Sequence, residues 1–246
     1  MPSLRSELTP AERVIQAIDT SNQARAEELV TIAKEAGAWV VKIGLEYSTA
    51  TSWKEASSLA QNQELDWVAD AKFDDIPNTT AGAVNNLLEL DHPPVGITIQ
   101  TKSGIKSMAA AQKLAKEANV MMLGVTHLTS IGKEETKDID KVLPSTVVSR
   151  ETYRAQEAGI EGLVASGEEL KMLQLMAKGM FKMIPGTRSA GADRGDQARS
   201  ITPQQAIEQG ADLLVIGRQV SQADDPAAAY AAVVEEIQQG LWNRAA

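Results

Sequence analysis

The segment Asp70-Ala-Lys72-Phe-Asp-Asp75-Ile-Pro-Asn-Thr79 places an aspartate and a lysine two residues apart at the end of the apolar run Trp67–Ala71. Side chains alternate faces along a strand, so this spacing sends Asp70 and Lys72 the same way. A carboxylate held against an ammonium keeps the lysine protonated and ready to act as a general acid. The same carboxylate disfavours a second negative charge bound beside it. A reaction that takes negative charge off a carbon and then protonates that carbon gains from both effects. A bare D-x-K pair is more often a structural ion pair at a rim, and the spacing alone leaves both readings open.

Other polar residues close other apolar runs. Asp19 ends the first, Lys42 lies in the second, and Thr126 and Thr129 follow the fifth. Pro185–Gly186 and then Arg188 follow the seventh, and Gly217–Arg218 ends the eighth. The runs are Val14–Asp19, Trp39–Ile43, Trp67–Ala71, Val95–Ile99, Val120–Val125, Gly162–Ala165, Phe181–Ile184 and Leu213–Ile216. They read as strands buried on both faces. Between them lie helical stretches such as Asn22–Glu35, Ala81–Leu90, Ile105–Ala118 and Glu168–Ala177. A last helix is expected over Pro226–Gln239, with Asp224 and Asp225 as its cap. Eight strands alternating with helices predict a parallel sheet closed into a (β/α)8 TIM barrel; an open doubly wound sheet is the alternative. A barrel gathers its site at the C-terminal strand ends, where the polar residues fall. Unpaired charges are costly in an apolar barrel, so these groups must pair with one another or with a ligand.

The 246 residues fit one such barrel, and no linker divides them, so a single domain over 1–246 is expected, with 1–12 as an N-terminal extension. Two stretches break the rhythm. Ser130–Pro144 is charged and lacks apolar periodicity, and Gly186–Ile201 is a long loop with three glycines. Loops of that length are often lids or binding loops. A short helix is expected near Thr202–Pro203. The net charge is −9 and the pI about 4.9, which disfavours nucleic acid or an anionic membrane as partner but not a small phosphorylated ligand. There are no cysteines, hence no disulfide or thiolate metal site. The polar N-terminus lacks a signal-peptide core, and no run reaches membrane-span length, so a cytoplasmic protein is expected.

Asp70-x-Lys72-x-x-Asp75-Ile-Pro-Asn-Thr79 resembles the signature of the orotidine 5'-phosphate decarboxylases. Five further segments resemble that family in order: Ala17-Ile-Asp19, Val41-Lys42-Ile-Gly44, Val125-Thr-His-Leu-Thr-Ser130, Ile184-Pro-Gly-Thr-Arg188 with Gly195-Asp-Gln197, and Gly210–Arg218 with Asp225-Pro226. The resemblance implies conversion of orotidine 5'-monophosphate to uridine monophosphate and carbon dioxide, with no metal or cofactor, in a homodimer with shared sites. It implies that Lys72 protonates C6 of the pyrimidine, that Asp70 sits beside the departing carboxylate, and that Lys42 completes a charged array with Asp70, Lys72 and Asp75. Asp75 and Thr79 would come from the neighbouring subunit. Asp19, Lys42 and Asp75 would contact the ribose, and Thr79 and Thr129 would help hold the nucleoside. Arg218 and the Gly217 backbone would grip the 5'-phosphate, with Gln197 closing over it and Arg188 assisting. The chain departs from the family at Gly96-Ile-Thr98-Ile-Gln100, where many relatives carry a histidine near the end, and at Thr187, a position usually apolar.

A magnesium-dependent 3-keto-L-gulonate 6-phosphate decarboxylase or hexulose-phosphate synthase would share the D-x-K-x-x-D core. The Ile76–Thr79 continuation and Gly195-Asp-Gln197 favour the orotidine branch. A silent nucleotide-binding barrel would not need the Lys42, Asp70, Lys72 and Asp75 set. His127 reads as structural or peripheral, His92 as an exposed turn residue, and two isolated histidines do not make a metal site. Asp74 reads as a rim charge, the Glu134–Lys141 run as solvated surface and the methionine pairs as core filling.

Overall fold

The computed structural model describes residues 8–189 and 201–245. Eight parallel strands, β1 (Val14–Ile18), β2 (Val40–Gly44), β3 (Asp66–Phe73), β4 (Gly96–Gln100), β5 (Met121–Val125), β6 (Gly162–Val164), β7 (Phe181–Pro185) and β8 (Leu213–Ile216), pair in sequence order. β1 also pairs with β8, which closes the barrel. The expected (β/α)8 architecture is the observed one, and the open sheet is excluded. All eight predicted strands are present, none with an end displaced by more than two residues.

Alternation sorts the strand residues into two layers. One set faces the barrel axis, where Ile15, Val40, Val68, Leu123, Phe181 and Leu213 form an apolar floor. The other set, including Val14, Val41, Trp67, Ile97, Met122 and Ile184, packs under the helices. Helix Gln23–Glu35 shows how the helical layer forms. Asn22 caps it by accepting the Arg25 N–H at 3.0 Å, and Ala26, Leu29, Val30 and Ala33 lie on its buried face at helical spacing.

Space inside the floor is shared unevenly. Leu123 of β5 lies between Gly96 on β4 and Gly162 on β6. A Cβ at Gly162 would come within 2.6 Å of Leu123 Cδ2, and one at Gly96 within 3.3 Å of Cδ1. The leucine thus occupies the volume that the two glycines leave empty.

The helices depart from expectation in three places, and one turn residue does as well. The helix expected at Ala81 begins at Pro77, because proline suits the first helical turn, where an N–H is not needed. The stretch expected to be irregular over Ser130–Pro144 contains helix Lys133–Asp140, and Pro144–Glu157 follows directly. Apart from buried Thr136, residues 133–139 of that shorter helix are exposed, so it has almost no apolar stripe to signal it. The last helix runs on to Ala245, capped by Asp225, whose carboxylate accepts from the Ala228 N–H at 3.0 Å. His92 is half-buried rather than exposed: its ring bonds the Leu65 carbonyl, and its own carbonyl accepts from Ser57 and Trp67. The short helix expected near Thr202–Pro203 is Pro203–Glu208, started by a reciprocal Thr202–Gln205 capping box. Among the described residues, no helix is long and apolar enough to cross a membrane.

Candidate active site

Above the apolar floor, the axis-facing positions turn polar. Ala17 and Asp19 continue β1, Lys42 and Gly44 belong to β2, Asp70 and Lys72 to β3, and Gly217 follows β8. With Val125, Val164, Met183 and Val215 they line a cavity of about 590 Å³ at the C-terminal mouth, within the range of small-molecule sites. Thr129, Arg188 and Arg218 line it as well.

At its base lies an alternating chain of charges. Lys42 Nζ donates to Asp70 Oδ2 at 2.8 Å and to Asp19 Oδ1 at 3.2 Å. Lys72 Nζ donates to the same Asp70 Oδ2 at 2.8 Å. Lys42 and Asp70 are each only 7% exposed, whereas the Asp19 side chain is half-exposed and that of Lys72 about a third exposed. Burial alone would raise the Asp70 pKa, but the two ammoniums outweigh it and hold the carboxyl well below the usual carboxylate range. Burial likewise opposes charge on Lys42, and the charges of Asp70 and Asp19 overcome it, so its pKa rises. Asp70 and Lys42 are therefore both ionised near neutrality, and Lys72 Nζ, whose side chain is about a third exposed, lies on the cavity side of Asp70. Gly44 lies beneath this chain: a Cβ there would stand 3.4 Å from both Lys42 Nζ and Asp19 Oδ1.

Asp70 and Lys72 do share a side, but not by plain alternation. Ala69 pairs with Ile97 and Phe73 with Ile99, so three residues of β3 (Asp70, Ala71 and Lys72) stand opposite the single Thr98 of β4. Such a bulge re-aims side chains. Lys72 takes it up with φ 48°, a left-handed conformation that costs a non-glycine residue about 1 kcal/mol or more. Thr98, fully buried, closes the bulge: its Oγ1 accepts the Lys72 N–H at 2.8 Å and donates to Asp70 Oδ1 at 3.0 Å. Sequence reasoning noted Thr98 only as a departure in the fourth strand. Gln100, which ends that strand, is absent from the cavity lining.

The opposite wall is cationic. β7 ends at Pro185, Gly186 turns with φ 75°, open to glycine, and buried Arg188 donates to the Thr187 carbonyl at 2.8 Å. Gly217 precedes the short helix Arg218–Ser221, with Arg218 exposed at the rim. Gln197 lies outside the described residues. Asp75 and Thr79 are exposed and not part of this chain's own cavity lining. Asp75 Oδ1 accepts the Ile76 N–H at 2.7 Å, while its carbonyl is held by Ser107 and Thr80. His127 is buried, lines the cavity and bonds Thr136 Oγ1 at 2.9 Å, tying the loop after β5 to helix Lys133–Asp140. Asp74 is exposed, as expected of a rim charge. Among the described residues, no three His, Asp or Glu side chains gather as metal ligands do.

Residues 12–233 match the model of the orotidine 5'-phosphate decarboxylase / HUMPS family. The chain is 40% identical over 201 residues to an orotidine 5'-phosphate decarboxylase of Pseudomonas putida, covering 80% of this chain and 85% of that protein. It is 36% identical over 240 residues to the Moorella thermoacetica protein of the same name, covering 92% of each. A solved orotidine 5'-phosphate decarboxylase from Lactobacillus acidophilus superposes with a TM-score of 0.74 at 24% identity, over 92% of this chain and 99% of that one, and supports the fold. With match and barrel in agreement, the chain belongs to the orotidine 5'-phosphate decarboxylase / HUMPS family.

Proposed function

We infer that this chain is an orotidine 5'-phosphate decarboxylase, a carboxy-lyase that releases carbon dioxide from orotidine 5'-monophosphate and leaves uridine monophosphate. The observation that carries this reading is the Lys42–Asp70–Lys72 chain at the base of a nucleotide-sized cavity. The family match and the names of the relatives support it.

The substrate brings a carboxylate on C6 next to Asp70. Repulsion between the two anions raises the energy of the bound substrate relative to the charge-dispersed transition state. The bond from C6 to the carboxylate carbon breaks, carbon dioxide leaves, and the electron pair stays on C6. Lys72 Nζ then gives a proton to C6 and is reprotonated from solvent. Lys42, fixed between Asp70 and Asp19, holds Asp70 ionised and reaches the ribose hydroxyls together with Asp19. Thr129 supports the nucleoside. Arg218, Arg188 and the Gly217 backbone take the 5'-phosphate, with Gln197 closing over it; charge-assisted hydrogen bonds suit that task. No step draws on a metal or cofactor.

The reading includes a homodimer in the cytoplasm, in which Asp75 and Thr79 complete the partner's site. Their exposure outside their own cavity supports it, as does Ile76, 66% exposed beside Asp75 and suited to burial by a second copy.

An ultraviolet assay of the purified protein with orotidine 5'-monophosphate in EDTA tests the reading. Conversion to uridine monophosphate is expected. Absence of turnover in EDTA that magnesium and a sugar-phosphate substrate restore would overturn it in favour of the metal-dependent branch.

A further inference from the structure

The β3 bulge poses a mechanical problem. Lys72 must leave normal strand geometry to aim its ammonium into the cavity, and its backbone N–H then has no regular ladder partner on β4. A buried N–H without an acceptor is strongly disfavoured. The acceptor is a side chain, Thr98 Oγ1, and the same hydroxyl spends its one proton on Asp70 Oδ1. The other Asp70 oxygen receives both ammoniums. One hydroxyl therefore fixes two things together: the backbone conformation from which Lys72 projects and the rotation of the carboxylate that Lys72 touches.

We propose that Thr98 is a positioning residue of the decarboxylation site, a clasp that sets the left-handed turn at Lys72 and the carboxylate plane of Asp70 in one register. It is fully buried and absent from the cavity lining, and acts through those two residues rather than on the substrate. Threonine suits the task. Its hydroxyl accepts and donates at once, and its methyl group fits a strand position that is fully buried. Valine has nearly the same shape but neither function, and serine keeps both functions without the methyl.

The kinetic consequence rests on the decarboxylase reading, and the geometric one does not, so the test has two arms. In the kinetic arm, Thr98→Val is expected to lower kcat by about 10- to 100-fold, the scale of a hydrogen bond to a charged group. Binding of uridine monophosphate, which lacks the reacting carboxylate, is expected to stay within about 3-fold, because phosphate and ribose contacts are untouched. Thr98→Ser is expected to restore kcat to within about 3-fold of the parent, since it keeps the charged hydrogen bond. An unchanged kcat in Thr98→Val, or a serine variant no better than valine, would overturn the proposal.

In the structural arm, a crystal structure of Thr98→Val is expected to show Lys72 leaving the left-handed region or its Nζ parting from Asp70 beyond about 3.5 Å. Unaltered geometry would overturn the proposal. If the parent protein does not turn over orotidine 5'-monophosphate, the decarboxylase reading falls, and this arm alone decides the role of Thr98. Should Thr98→Val fail to fold, Thr98→Ala against Thr98→Ser makes the same comparison.

Discussion

Removing Lys42 and Asp70 one at a time and then together should reveal a large non-additive energy. At 2.8 Å, opposite charges attract by about 6 kcal/mol at an effective dielectric constant near 20, before desolvation is counted. Desolvation offsets several kcal/mol of that, because both side chains are almost wholly buried. Lys42→Met leaves Asp70 with Lys72 and Thr98; Asp70→Asn leaves Lys42 with half-exposed Asp19. With these second partners remaining, each single change should cost about 2–4 kcal/mol, slightly under the usual figure for stranding a buried charge. The double variant strands neither, so it should cost little more than one single change, a coupling of about 2–3 kcal/mol. Urea unfolding followed by tryptophan fluorescence and circular dichroism, at one fixed protein concentration, gives the four free energies. Single effects that sum to the double within about 0.5 kcal/mol would refute the idea that these charges compensate each other inside the fold.

Lys72→Ala should lower kcat by at least about 1,000-fold, as loss of a general acid does, while circular dichroism stays unchanged. Near-normal turnover would remove Lys72 from the chemistry. Mixing equal amounts of Lys72→Ala and Asp75→Asn subunits should regenerate about a quarter of the wild-type sites, since half the dimers are mixed and each holds one intact site. No recovery, with mixed dimers shown by native mass spectrometry, would count against a shared site. Asp70 has a lowered pKa in the folded state, so its stabilisation is present above the unfolded value of about 3.9 and is lost as pH falls through the folded one. Lys42→Met raises that folded value, so acid unfolding followed by circular dichroism should begin at higher pH than in the parent; an unmoved midpoint would contradict the assignment. Thr187 is buried with its hydroxyl unpartnered, so Thr187→Val should raise stability by about 1 kcal/mol and Tm by roughly 2–4 °C. A lower Tm in calorimetry would show that the hydroxyl is satisfied in solution.

Much of this was legible in the chain because it rests on local pattern. Strands buried on both faces read as short branched apolar runs, and Leu213–Ile216 is found with the ends expected of it. The polar residues at strand ends stand out against those runs, so Asp19, Lys42, Asp70, Lys72, Arg188 and Arg218, which share one cavity, are each marked in the sequence. What stayed hidden depends on pairing between distant segments. Thr98 looks like an ordinary strand threonine until the register sets it against three residues of β3. The left-handed turn at Lys72 has no glycine to announce it. Helix Lys133–Asp140 leaves no pattern because it buries so little, and His92 none because its carbonyl and ring bond residues distant in the chain.

The unequal sharing of space around Leu123 carries a consequence for descent. A leucine that extends toward both neighbouring strands makes three positions answer to one volume. No side chain can be gained at 162 while the leucine stays as it is, and 96 has little more room. Substitutions at 96, 123 and 162 should therefore be inherited as sets. Relatives that have shrunk residue 123 should bear alanine or valine where this chain has glycine, and those that keep a bulky residue there should keep the glycines. The three columns would covary although they lie on separate strands and none of them lines the cavity.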